Sequence, residues 1–227
     1  REQPMRTNPS LILTIALSAI TSRATAQTPP TTPTPARATI VRAARLLDLS
    51  SGRMVPNATV VVQSGRITAV NPATPPGGAQ VIDLGDVTLL PGFIDLHTHL
   101  SSEISATSFI APVTATEADL AFAAAANAIK TVSAGFTTVR DFGGDVTVAL
   151  GNAVERRIVA GPRVVPSRNS LGITGGHCDV TGFAPGILER TPADGVADGP
   201  WAAIRAVRYQ IKHGAQVIKI CATAGVL

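Results

Sequence analysis

Aromatic residues make up only 4% of this 227-residue chain, and charged residues only 15%. The first scarcity excludes a base-stacking surface for single-stranded nucleic acid. The second, beside 45% hydrophobic residues, excludes a disordered polypeptide and requires a packed core. Cysteine is nearly absent. Cys178 and Cys221 are too few for a disulfide framework, and the sequence leaves open whether the two meet. Repeats are lacking as well, which argues against a structural or adhesive module. Gly143-Gly144 and Gly175-Gly176 have neither dinucleotide nor P-loop spacing, so a nucleotide cradle is a weak reading.

The formal charge is +4, and Arg1, Arg6 and Arg23 against Glu2 carry two of those charges in the first 26 residues. The remaining Lys and Arg form no stripe, which implies a mildly basic surface and no nucleic-acid partner. Those first residues read as an address. Arg6 follows Met5, Leu11 to Leu17 is a short apolar core, and Ala24-Thr25-Ala26 has the small-x-small form of a cleavage site. The apolar core is shorter than the roughly 20 residues of a membrane span, so export without stable membrane insertion is expected, to the periplasm or outside. Residues 1–26 are thus read as a signal peptide with upstream residues, and 27–38 as a Pro/Thr linker.

Three β-rich stretches follow, Thr39 to Leu49, Ala58 to Val70 and Gln80 to Leu90. The middle one is strand, Ser-Gly turn, strand. Residues 39–90 therefore predict a small, incomplete β-sandwich. From Pro91-Gly92 the pattern alternates. Phe93 to His99 reads as a buried strand, and Thr114 to Ala134 as a helix opened by a Thr114/Glu117 capping box and ended at Gly135. Phe136 to Arg140 is a strand, Val146 to Val159 a helix, and Arg163 to Pro166 a strand. A Gly-rich excursion then leads to a helix over Trp201 to His213 and a strand over Ala215 to Ala222. This alternation calls for a parallel α/β sheet.

Two motifs carry chemistry. In PGFIDLHTHL, Pro91 to Leu100, strand alternation sends His97 and His99 to one side, where two imidazoles can share a metal ion. In VIKICATAG, Val217 to Gly225, Lys219 interrupts a run that reads as a fully buried strand. A bare ammonium there is costly. Either an unseen carboxylate pairs with it, or the neutral amine adds carbon dioxide to give a carbamate that bridges two cations. Cys221 has the same parity and is placed near the site. His177, in LGITGGHCD, contacts either substrate or its own loop. Asp95 is read as structural, Arg140 and Asp141 as structural or supporting the site, and His213 as capping a helix end.

Together with TTVRDFGG (Thr137 to Gly144), ITGGHCD (Ile173 to Asp179) and GAQVIKICATAG (Gly214 to Gly225), these motifs resemble the metal-dependent amidohydrolase superfamily. The nearest branch is the imidazolonepropionase-like, Xaa-Pro dipeptidase-like one, and the likeness spans about residues 37 to 227. It implies an α/β chain that forms the first half of a (β/α)8 TIM-like barrel, residues 91–227, preceded by the small β-domain.

It also implies a centre of two divalent ions, usually Zn2+, with His97 and His99 as ligands and a carboxylated Lys219 bridging. His177 is a substrate-binding candidate. In the family, histidines of strands five and six and an aspartate of strand eight complete the site, and none of these strands is in this sequence, which therefore reads as truncated. The implied reaction is hydrolysis of C–N amide bonds, in dipeptides or N-acyl amino acids, by a metal-bridging hydroxide. Cyclic amides, lactones or aromatic amides are the alternative substrates, and a non-catalytic gene fragment is the alternative product. Partners reduce to a small molecule or short peptide, with a homo-oligomer admitted by the family.

Overall fold

The computed structural model describes residues 37–223. The expected signal segment and most of the linker lie outside this range. Two compact units are present, one built from residues 55–87 with the preceding chain up to Arg45, the other from Leu46–Met54 and Thr88 onward.

In the first unit four strands lie in the order β3-β2-β1-β4: β1 (Thr39–Asp48), β2 (Arg53–Gln63), β3 (Arg66–Val70) and β4 (Gln80–Asp83). β2 and β3 form the expected hairpin, and β1 pairs with β4 in parallel. The turn residues Ser64 and Gly65 both have positive φ, 52° and 73°, the backbone that matches strand twist in a two-residue turn. Ile40, Ala43, Ala58, Val60 and Val61 are buried. Among the described residues this unit is a single sheet layer; the facing layer of the expected sandwich is not formed. The β-rich stretch from Gln80 to Leu90 forms β4 and a two-residue β5 (Thr88–Leu89).

The second unit holds a parallel sheet in the order β6 (Phe93–Thr98), β7 (Phe136–Asp141), β8 (Arg163–Pro166). Helices α2 (Glu117–Ser133) and α3 (Val146–Glu155) form the crossovers. Ala124 and Ala128, one helical turn apart, are fully buried and pack with Leu100, Val139, Leu150 and Val164. The small side chains let α2 sit close against the sheet. After β8 a long excursion contains a short 3-10 turn, Pro192–Asp194, and leads to α4 (Gly199–Lys212). A second cluster, Leu171, Ala197 and Ala206, joins the excursion to α4.

Three expectations need correction. The α2 capping box is Thr116/Asp119, not Thr114/Glu117. Ala115 is extended, so a one-turn helix α1 (Ala111–Thr114) ends before it, and Asp119 N donates to Thr116 Oγ1 at 3.2 Å while Thr116 N donates to Asp119 at 2.8 Å. The fourth strand, Ala215 to Ala222, is not formed as a continuous ladder. Gln216 N donates to Pro166 O at 2.8 Å and Leu171 N to Lys219 O at 2.8 Å, yet only an isolated Leu171–Ile220 bridge results. The reason lies in the neighbour: Arg168 has φ 58°, a left-handed backbone that breaks extended pairing between Pro166 and Leu171. Its conformation is held by a 2.6 Å ion pair to Asp145 and a 3.2 Å hydrogen bond to Gln210.

Burial is the third correction. β6 was expected to be a buried strand, but Ile94 is 62% and Leu96 58% exposed, since the described residues supply no layer over them. Among the described residues no helix is long and apolar enough to cross a membrane.

Candidate metal centre

β6 delivers the histidines. Its pairing with β7 is irregular between Asp95 and Thr98, and the His97 N–H leaves the ladder to donate to Asp95 Oδ1 at 2.9 Å. Asp95 thus caps the His97 amide with its own side chain. Pairing resumes at Thr98 opposite Asp141. His97 and His99 emerge on one side, with their Nε2 atoms 3.3 Å apart. Two nitrogens on one tetrahedral zinc, each about 2.0–2.1 Å from it, stand about 3.3 Å apart. The pair therefore fits a shared divalent ion.

Lys219 reaches the same place from the segment that runs beside Leu171. Its Nζ lies 4.8 Å from the centre of the Phe142 ring, and the His97 ring meets Phe142 edge-on at 4.8 Å. His99 also borders that ring, at 6.2 Å between centroids. Phe142, only 8% exposed, is the wall on which all three sequence-predicted ligands converge, and the sequence reading missed it. Its one signal is its place directly after Arg140-Asp141 at a strand end. Arg140 holds β6 by donating to Leu96 O at 2.7 Å. Lys219 is half-buried rather than fully buried, and Ile220 beside it is 65% exposed, so the run is more open than a buried strand.

Desolvation is the main cause that lowers the His99 pKa; Asp141 opposes the shift, while His97 and Lys219 add to it. The net effect favours the neutral imidazole, the form that offers a lone pair to a metal. Among the described residues no group of three or more His, Cys, Asp or Glu converges on a metal position, so the donor set here is two imidazoles and one amine.

His177 is exposed in its loop, and no hydrogen bond or ring contact joins it to His97, His99 or Lys219 among the described residues. Other groups fix that loop. Gly175 N donates to Asp179 at 2.8 Å, and Thr174 donates to Asp198 through its amide at 3.0 Å and its hydroxyl at 2.6 Å. The Thr174 contacts hold the Asp198 carboxyl below the usual carboxylate range. Cys178, next to His177, is disulfide-bonded to Cys221, two residues past Lys219, with a Cα separation of 5.8 Å. His213 packs on the Tyr209 ring at the end of α4 and stays away from the site.

Parallel strands with paired imidazoles at the carboxyl end of β6, and a lysine brought beside them by the segment next to Leu171, define a hydrolase-like α/β site. The profile of the Amidohydrolase family matches residues 88–227, and the chain belongs to that family. It is 29% identical over 153 residues to the ochratoxinase of Aspergillus niger, covering 61% of this chain and 32% of that protein. A 46-residue stretch is 52% identical to the allantoinase of Streptomyces avermitilis, covering 19% of this chain and 10% of that one. Among solved structures, a Xaa-Pro dipeptidase with bound methionine matches at TM-score 0.73 and 33% identity, over 81% of this chain and 46% of the dipeptidase. The A. niger ochratoxinase structure matches at 0.70 and 26%, over 82% and 47%. The chain thus spans a third to about half of the length of the ochratoxinase and the dipeptidase. Their kinship makes this an enzyme sequence of the amidohydrolase superfamily, whose members are metal-dependent.

Proposed function

We propose that the complete protein hydrolyses amide bonds in dipeptides or N-acyl amino acids at a two-metal centre, zinc being the expected metal, inside a (β/α)8 barrel to which this chain contributes the first strands. The observation that carries the reading is the 3.3 Å approach of His97 and His99 beside Lys219. The similarity to a Xaa-Pro dipeptidase and to ochratoxinase supports the substrate class.

Bound cations would supply a lowered water pKa and polarisation of the scissile carbonyl. The chain's own residues prepare the place. His97 and His99 present their imidazoles at the open end of β6. In its neutral form the Lys219 amine attacks carbon dioxide; an N–C bond forms as one C–O π bond opens, one proton leaves to solvent, and the resulting carbamate would offer two oxygens to the bound cations. Phe142 fixes the approach of Lys219 and dries one side. Among the described residues no hydrogen bond ties His177 to its loop, and its exposed imidazole is available for a substrate carboxylate or carbonyl.

Export is part of the proposal. The Leu11–Leu17 core with Ala24-Thr25-Ala26 supports it, and a Cys178–Cys221 disulfide suits an oxidising compartment. The decisive test is a screen of the complete, zinc-loaded protein against dipeptides, N-acyl amino acids and their ester analogues. Amide cleavage that disappears in His97→Ala and His99→Ala supports the reading; a protein that cleaves none of the amides sinks the substrate class. Cyclic amides belong in the screen, because the 52% identical stretch is shared with an allantoinase.

A further inference from the structure

We propose that Asp141 is a positioning residue for the metal centre: from the end of β7 it clamps the backbone on both sides of His99 and so sets the separation of the His97 and His99 imidazoles. The proposal rests on the metal-centre reading above.

Asp141 is fully buried. Its Oδ2 accepts from Thr98 Oγ1 at 2.8 Å and from Leu100 N at 2.7 Å, and its Oδ1 accepts from Gly143 N at 2.7 Å. Residues 98 and 100 flank His99, so one carboxylate oxygen holds the chain immediately before and after that ligand. The same two residues are tied a second time: Phe142 N donates to Thr98 O at 2.9 Å, and Asn127 Nδ2 to Leu100 O at 3.0 Å. His97 lacks such support from the ladder, because β6 is irregular between Asp95 and Thr98. The strand therefore regains a defined position only where Thr98 meets Asp141.

Side chains two apart on a strand start about 6.5–7 Å from each other at the backbone. Bringing their Nε2 atoms to 3.3 Å requires both rings to be aimed, and the Asp141 clamp fixes the base from which His99 is aimed. The charge matters too. Among the described residues no cationic side chain forms an ion pair with this buried carboxylate, so three hydrogen-bond donors alone hold it. An asparagine of the same shape would accept on one oxygen only and turn its own N–H groups toward the donor at the other.

The test uses the complete protein loaded with Co2+, whose d–d absorption reports ligand geometry. Asp141→Asn should weaken metal affinity about 10- to 100-fold, measured by chelator competition, and alter the cobalt spectrum. Thr98→Val, which keeps the carboxylate but removes a donor, should give a smaller loss in the same direction, and Thr98→Ser should restore native affinity and spectrum. A folded Asp141→Asn protein with unchanged affinity and spectrum overturns the proposal, because a carboxylate needed only for stability gives that result. If Asp141→Asn fails to fold, the Thr98 pair decides, and equal affinities for Val and Ser overturn it. His97→Ala and His99→Ala report on the underlying reading: if neither lowers affinity, the metal centre itself is wrong and the clamp falls with it.

Discussion

Lys219 Nζ lies 4.8 Å from the centre of the Phe142 ring, and the His97 ring stands perpendicular to that same ring at 4.8 Å between centroids. One nearly buried side chain therefore registers two ligands that arrive from segments more than 100 residues apart. Removing it has two separable effects. Phe142→Ala should destabilise the fold by about 3 kcal/mol through lost burial and a cavity, read by chemical denaturation. Phe142→Leu keeps most of the volume and should cost less than about 1.5 kcal/mol. In the complete protein that milder variant should still lose roughly 10- to 100-fold in amide hydrolysis, because the flat wall that sets Lys219 is gone. A leucine variant with native rate would show that Phe142 only fills space.

Cys178 and Cys221 join the loop that carries His177 to the segment that carries Lys219, across a sequence separation of 43. Loop-closure entropy for a ring of that size gives about 4 kcal/mol as the upper range of its stabilisation. The Cys178→Ser/Cys221→Ser double variant, or the reduced protein, should unfold at markedly lower denaturant concentration. Hydrogen exchange should rise first around Gly175–Asp179 and Lys219, while α2 and β7 stay protected. Uniform loss of protection across the second unit would mean the link supports the whole domain and not this loop.

The histidine pair and the order of strands and helices were legible because each depends on a local rule. Strand alternation brings His97 and His99 together, and Gly135, with φ 93°, stops α2 just past Ser133. The helix expected to run to Val159 before Gly161-Pro162 instead ends at Glu155, where the left-handed Arg157 (φ 60°) turns the chain away. What stayed hidden depended on long-range contact. Phe142 is one aromatic after a strand end, and its role exists only once β6, β7 and the Lys219 segment meet. Thr114-x-x-Glu117 and Thr116-x-x-Asp119 overlap in one stretch, and the extended Ala115 chooses between them. The residues from Ala215 to Ala222 have strand propensity, but their partner's left-handed Arg168 interrupts the ladder.

The Thr116/Asp119 box makes the start of α2 sensitive to acid. Hydrogen bonds from the Thr116 hydroxyl and amide hold the Asp119 carboxyl below the usual carboxylate range. The folded chain thus binds fewer protons than the unfolded one near pH 4. This contribution is complete above the ordinary carboxyl pKa of about 3.9 and is lost as pH falls through the lowered value. Thr116→Ala should cost about 1 kcal/mol at pH 7. The gap between the variant and the native protein should shrink as pH falls below about 3.9. Thermal melts at pH 7 and pH 3 measure it; a gap independent of pH would show that the carboxylate adds nothing to the cap.

Gly195 closes the 3-10 turn with φ 97°, and a Cβ there would run into the carbonyl oxygen of Ser170. Its own carbonyl accepts from Gly172 N at 3.0 Å, and Ala197 N returns a bond to Gly172 O at 2.8 Å. Those bonds place Val196 and Ala197 in buried positions, Ala197 beside Leu171 and Ala206. Gly175 is the natural control: its φ is 71°, yet a Cβ would meet nothing within 4 Å. Gly175→Ala should therefore cost only the left-handed backbone penalty, about 1–2 kcal/mol. Gly195→Ala carries that penalty plus a clash with backbone that no rotamer change relieves, so its loss should be larger, with faster hydrogen exchange from Ser170 to Asp198. Equal melting temperatures for the two variants would mean that Ser170 moves aside freely, and that the Gly172–Gly195 pairing is not what holds the excursion against α4.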